Sequence, residues 1–297
     1  KLRAASSRKA KQSQIKRLEE ETRRIESELA ALGDPEGDKY RGLEEKREWK
    51  FRRARADGSD MIAVVIGNRS YAKGIPMVHY AHNDAKAMKQ FALEGLGVPE
   101  ENIFYETDAT KGVMEGIFEV VLPNSVEAGE TDVLVYFSGH GIPVEGGDAM
   151  LLPSDARPYT AQTTGYSRDR LLQQLASLDA RSVTAIFDAC FTGTGKEGKA
   201  LFEGGKNIGL TARPAGTFGN VLVISASRAD QIAWVDKKAG MSLLTLHLLE
   251  GLSGSADTDG DASITSIEIA AYLEEKVNKA ARVAYHQKQQ PVVSGDD

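Results

Sequence analysis

The sequence predicts an α/β fold built on a mostly parallel sheet with helices on both faces. Short apolar runs rich in β-branched residues recur from residue 60 onward, helix-period stretches separate them, and the bulk composition is that of a globular body. Strands that alternate with helices in this way pair in parallel, because each crossover helix packs back on the sheet. The composition agrees: 41% apolar and 27% charged over 297 residues, enough for one substantial core and an appended segment.

Residues 1–58 come first and read as a charged helical arm. Ile15, Leu18, Thr22, Ile25, Leu29 and Leu32 recur at spacings of three and four, a heptad seam that Gly33, Asp34 and Pro35 end. A weaker helical stretch covers about 40–55, with Leu43, Trp49 and Phe51 as its apolar residues. Two readings of the arm stay open: a short coiled coil that docks a partner, or a helix packed on its own domain. From residue 59 the second domain begins and runs to 297. Its expected strands are 61–66, 102–105, 133–137, 183–187 and 221–225. Its expected helices are 81–94, 113–121, 167–178, 241–252 and 265–281.

Several function classes are excluded or disfavoured early. No run of 18 apolar residues occurs, so no membrane-spanning helix is expected. A single cysteine excludes an internal disulfide and a cysteine-rich metal site. The arm holds 17 Lys and Arg against 12 Asp and Glu, whereas the remainder holds 20 against 31. A net-acidic body does not suit nucleic-acid binding, which needs clustered positive charge. It suits basic substrates better. The chain opens on Lys1, which leaves a preceding signal or anchor open. With no visible address, the cytoplasm is the expected compartment.

Ligands of parallel sheets sit beyond the carboxyl ends of the strands, and two of those ends are unusual. Strand 133–137 runs into Ser138-Gly139-His140-Gly141, and strand 183–187 into Asp188-Ala189-Cys190-Phe191-Thr192-Gly193. A thiol and an imidazole are thereby delivered to one sheet edge. The imidazole can activate the thiol and later protonate a leaving amine. The backbone N–H of Gly141, beside that of Cys190, can hold an oxyanion.

These two motifs, 50 residues apart in the order His then Cys, resemble the caspase-like cysteine peptidases, specifically their metacaspase and bacterial caspase-like branch. The stretches Val64-Val65-Ile66-Gly67-Asn68, His82-Asn83-Asp84-Ala85, Ile224-Ser225-Ala226-Ser227 and Gln290-Pro291 extend the resemblance over about 60–297. It implies a caspase-like three-layer sandwich preceded by the helical arm. It further implies Cys190 as nucleophile, His140 as base and Gly141 as an oxyanion donor. Substrate contacts are implied at Asp84, Asp188, Ser225, Ala233 and Trp234. True caspases grip a substrate aspartate with two arginines and a glutamine. Here the corresponding stretches, Ile75-Pro76-Met77-Val78 and Ile232-Ala233-Trp234-Val235, carry no arginine, and Asp188 replaces the glutamine. Two carboxylates and no arginine repel an aspartate and attract a cation, so protein or peptide cleavage after Arg or Lys is expected.

Two loops complete the reading. Asp257, Asp259, Asp261, Ser263 and Glu268 have the spacing of a calcium-binding EF-hand loop, with Ala262 where that loop needs glycine. No cofactor is required by the expected chemistry, and calcium enters only through this loop. The stretch 192–219 carries Lys196, Lys199, Lys206 and Arg213; it reads as a rim loop, or, by the resemblance, as a self-processing linker. The rival to the enzyme is a dormant peptidase-like scaffold or partner-activated module recruited through residues 1–58.

Overall fold

The computed structural model describes residues 49–51, 58–144, 146–193 and 218–295, with Lys196, Leu201 and Ala212. The heptad seam lies outside the described residues, as do Lys199, Lys206 and Arg213 of the 192–219 loop. Residues 49–51 are described but not helical, which corrects the expected helix at those positions; the rest of the expected stretch 40–55 lies outside the described residues. Trp49 stacks on Phe51, and Phe51 meets Phe91 edge-on, so these rings pack as core rather than along a helix face.

Strand β1 (Met61–Gly67) leads through helix α1 (Ala81–Gln90) to β2 (Ile103–Thr107), and helix α2 (Lys111–Gly116) precedes β3 (Asp132–Ser138). The short strands β4 (Gly141–Pro143), β5 (Ala149–Leu151) and β6 (Tyr166–Ser167) follow, then α3 (Arg168–Ala176), β7 (Ser182–Asp188) and β8 (Val221–Ser225). The chain continues through β9 (Val235–Asp236), β10 (Met241–Ser242), α4 (Leu243–Glu250), α5 (Ser266–Tyr285) and β11 (Val292–Ser294). Six strands form the central sheet in the order β11-β8-β7-β3-β1-β2, and all pairings are parallel except β11 with β8. All five expected central strands and all five expected helical regions are present. The small strands β4–β6 and β9–β11 had no signal, because two or three residues cannot display a period.

Side chains alternate across the sheet, and this sorts the core into two layers. Val133, Val135 and Phe137 of β3, with Val183, Ala185 and Phe187 of β7, pack under Met114, Leu171 and Leu175. Leu134, Tyr136 and Ile186 face the opposite way, toward Met88 of α1, Leu244 and Leu248 of α4 and Leu273 of α5. Helix α4 is buried on nearly every side, wedged beneath α5, as a helix apolar all round must be. The same alternation carries Ser138 and Asp188 to the α1/α4 side, because they extend the Leu134–Tyr136 and Ile186 rows. Strand pairing sets Ser138 opposite Asp188.

Helix α5 begins with a capping box in which Thr265 and Glu268 exchange hydrogen bonds. In the loop before it, Ala262 adopts φ +71°, a left-handed conformation that costs an alanine about 1–2 kcal/mol. Part of that cost returns in the more restricted unfolded alanine chain. Ala262→Gly is therefore expected to stabilise the protein by about 0.5–1 kcal/mol, read as a higher midpoint in urea unfolding.

Candidate active site

Three strand ends meet at the carboxyl edge of the sheet. Asn68, just past β1, is fully buried and pins two loops: its amide donates to the carbonyls of Ala109 and Leu152, and its oxygen accepts from the Ala109 N–H. Past β3 comes His140, 3% exposed, and past β7 comes Cys190, 2% exposed. Pairing of β3 with β7 continues beyond the strands, since the Gly139 N–H donates to the Asp188 carbonyl. Gly141 and Cys190 are brought into contact as well. A Cβ on Gly141 would stand 2.5 Å from the Phe191 ring and 2.9 Å from the Cys190 carbonyl oxygen, so only glycine fits there.

The imidazole is held on two sides. Its Nε2 lies 2.8 Å from the Pro76 carbonyl oxygen. A carbonyl only accepts, so Nε2 carries the proton and Nδ1 keeps the lone pair that a base needs. Tyr71 accepts the His140 backbone N–H through its hydroxyl at 2.8 Å, and its ring lies 5.0 Å from the imidazole. The thiol has partners of its own: the Ala233 N–H donates to Sγ at 3.0 Å, and Sγ donates to the Ala233 carbonyl at 3.6 Å. Neither partner is His140. Burial, partly offset by the Pro76 hydrogen bond, lowers the imidazole pKa to about 4. Burial also pushes the thiol up to about 11, although the Ala233 N–H works the other way. The resting pair is thus a neutral imidazole and a neutral thiol. Alkylation by iodoacetamide requires thiolate, so in the unliganded protein its rate should climb toward a midpoint well above an ordinary cysteine's. A midpoint near 7 would show that the thiol is already activated.

Below the two residues lies a closed polar cluster. Asp84 on the first turn of α1 and Asp188 at the end of β7 are both fully buried. Asp84 accepts the Ser242 N–H at 2.9 Å, the Ser242 hydroxyl at 2.5 Å and the Ser138 hydroxyl at 2.9 Å. Asp188 accepts the Thr245 hydroxyl at 2.5 Å, and Thr245 lies 2.6 Å from the Tyr136 hydroxyl. Between the carboxylates sits the ammonium of Lys196, 2.7 Å from Asp188 and 3.8 Å from Asp84. It also donates to the hydroxyls of Ser242 at 2.6 Å and Ser138 at 3.3 Å. Burial raises Asp84 to about 6, with Lys196 acting against it and Asp188 adding to it. Burial opposes the Lys196 charge, but Asp188 and Asp84 outweigh it and hold its pKa above the usual lysine range. The spacing of Asp84 and Asp188 in sequence gave no hint of Ser138, Ser242 or Thr245. A serine or threonine is too common to single out without the contact.

The other expected positions fall in three places. Ala233 is fully buried, and its backbone engages Cys190. Trp234 is partly exposed and stacks on Tyr285 at 4.2 Å, while its backbone N–H donates to Gln289 Oε1 at 2.7 Å. Gln289, fully buried, also donates to the Ala226 carbonyl, so the residue before Gln290-Pro291 clamps the loop that holds the thiol. Ser225 stands apart from the carboxylate pair. It borders a cavity of about 740 Å³ with Arg168, Phe191, Gln290 and Pro291.

In the acidic loop, oxygens of Asp257, Asp259 and Asp261 converge within 4.8 Å of one another. Glu268 does not join them. Its two oxygens accept hydrogen bonds from Thr265 and Thr258, which lower its pKa to about 2. Ser263 donates its backbone N–H to Asp261. These bonds close the loop from within, and a cation would have to replace part of them.

Among the described residues, no helix is long and apolar enough to cross a membrane. A family model described as the caspase domain matches residues 60–296. No curated protein matches the sequence significantly. The fold is similar to the crystal structure of caspase-1 from Spodoptera frugiperda, with a TM-score of 0.55 at 14% identity. That similarity covers 84% of this chain and 92% of the insect protein.

Proposed function

The chain belongs to the caspase family and carries a caspase-like cysteine peptidase domain, and from that premise we propose that it cleaves proteins after Arg or Lys. Cys190 serves as nucleophile, His140 as base and Gly141 as oxyanion donor. The observation that carries the specificity is the cation between Asp84 and Asp188: the pocket holds an ammonium, Lys196, at 2.7 Å from Asp188. A buried site that stabilises one basic side chain has the charge and the donor–acceptor pattern for another. Conversely, a substrate aspartate would meet two carboxylates and no arginine in that cluster.

The chemistry follows from the hydrogen bonds. Nδ1 of His140 accepts the Cys190 proton as Sγ attacks the scissile carbonyl, and the carbonyl electrons move to oxygen. Backbone N–H groups of Gly141 and Cys190 hold that oxygen. When the tetrahedral species collapses, the C–N bond breaks and the imidazolium gives its proton to the amine. Water, deprotonated by the same Nδ1, then hydrolyses the thioester. Two neutral groups must exchange a proton in this first step, so the thiol has to leave Ala233 and turn toward His140. The test is the rate on matched fluorogenic peptides ending in Arg, Lys or Asp. Turnover of Arg and Lys, with Asp at least about 100-fold slower, is the expected result. Preferred cleavage after Asp would retain the peptidase and sink the pocket assignment.

A further inference from the structure

The carboxylate pocket holds a cation of its own, and that cation belongs to the chain. We propose that Lys196 is a displaceable plug: it occupies the Arg/Lys pocket at rest, and an incoming basic side chain must evict it before cleavage. The proposal rests on the reading of Asp84 and Asp188 as the substrate pocket, and adds how that pocket is kept shut.

Three features of the cluster support it. First, the ammonium's hydrogen-bonding capacity is saturated. Lys196 has three N–H donors, and Asp188, Ser242 and Ser138 accept all three. Both hydroxyls pass their own protons to Asp84, and the second oxygen of Asp188 is taken by Thr245. The ammonium fills the space between the two carboxylates, and the lysine is only 4% exposed. Occupancy by Lys196 and by substrate is therefore mutually exclusive.

Second, the walls and the occupant come from different kinds of structure. Asp84 stands on α1 and Asp188 on β7, while Ser242 and Thr245 bracket the start of α4; all are fixed by the packed core. Lys196 belongs to no helix or strand. Elements buried in the core move only at far greater cost than a residue outside them, so the occupant is the part free to exchange.

Third, the tether is short. Lys196 follows Cys190 by six residues, and a group on so short a connection competes at an effective concentration of order mM or more. A ligand that must first displace it binds with its affinity reduced by the fraction of open pocket. Sγ has both its hydrogen bonds at Ala233, so the resting thiol is held away from attack. The plug is displaced rather than cut.

The experiment uses n-butylguanidine, an arginine side-chain mimic without an amine, on the full chain and on Lys196→Met. Calorimetry should show at least tenfold tighter binding to the variant. In the wild-type protein, reductive methylation followed by peptide mass spectrometry should leave Lys196 protected alone and label it when millimolar n-butylguanidine is present. If Lys196→Met does not fold, the wild-type methylation result decides. Equal binding by both proteins, protection of Lys196 at every ligand concentration, or activity that appears only after a cut at Lys196 would each overturn the plug. The two readings fail separately. Wild-type cleavage of Arg peptides with Lys196 protected throughout turnover removes the plug and leaves the peptidase. Tight n-butylguanidine binding by the variant, with no basic peptide cleaved by either protein, removes the peptidase and leaves the plug.

Discussion

Cys190→Ala is expected to lower kcat/KM on an Arg-terminated peptide by at least about 10³-fold, with little change in fold. The thiol is the sole cysteine of the chain, and no described group near it can replace its nucleophilicity. Its neighbour hydroxyls, Ser138 and Ser242, are committed to Asp84 and Lys196. The structural cost is small. The substitution removes one buried sulfur and its two contacts with Ala233, a change of about 1 kcal/mol. A circular-dichroism melt alongside the rates separates the two effects. His140→Ala should lower the rate comparably, because residues of one catalytic unit lose most of their effect together rather than in proportion. If Cys190→Ala kept even a tenth of the wild-type rate, the nucleophile would have to be sought elsewhere.

Asp188→Asn should act on stability and on specificity at once. Removing one partner from a buried ion pair leaves the other charge without compensation, at a cost of about 3–5 kcal/mol. The lower end is expected here, because Asp84 still stands 3.8 Å from Lys196 and the asparagine oxygen can still accept one N–H. The new amide N–H₂ also faces the Thr245 hydroxyl, which now donates to Asp188, so the Tyr136–Thr245–Asp188 chain must reverse or break. Urea unfolding measures this, and Asp188→Asn combined with Lys196→Met should recover part of the loss. On activity, the preference for Arg over a neutral residue should shrink at least about tenfold. An Asp188→Asn protein with unchanged preference and unchanged stability would mean that this pair neither holds the fold nor reads the substrate.

The fold was legible because it depends on repeating features. Parallel strands buried on both faces read as apolar runs such as 133–137 and 183–187, and crossover helices read as 3.6-period stretches such as 265–281. The site was legible where it coincides with those features: His140 and Cys190 lie just past strand ends, and Asp188 lies two residues before the cysteine. By contrast, Pro76, Tyr71, Ser242, Thr245 and Gln289 reach the site from loops, a short strand and a helix distant in sequence. Their side chains and carbonyls are ordinary until a neighbour gives them a role. Trp49 and Phe51 looked like apolar positions of a helix, and tertiary packing put them on Phe91 instead.

Sequence patterning therefore specified the layered α/β body and the strand ends that carry a thiol and an imidazole. Both are set by local composition and by period. The resemblance added an acid, Asp188, where true caspases keep a glutamine, and no arginine in the stretches that correspond to theirs. Folding alone set the state of those groups: Cys190 bonded to Ala233, His140 turned to Pro76, and Lys196 sealed between Asp84 and Asp188. Hydrogen bonds and ion pairs depend on distances of a few tenths of an ångström between residues up to 158 positions apart, and no linear pattern encodes a distance.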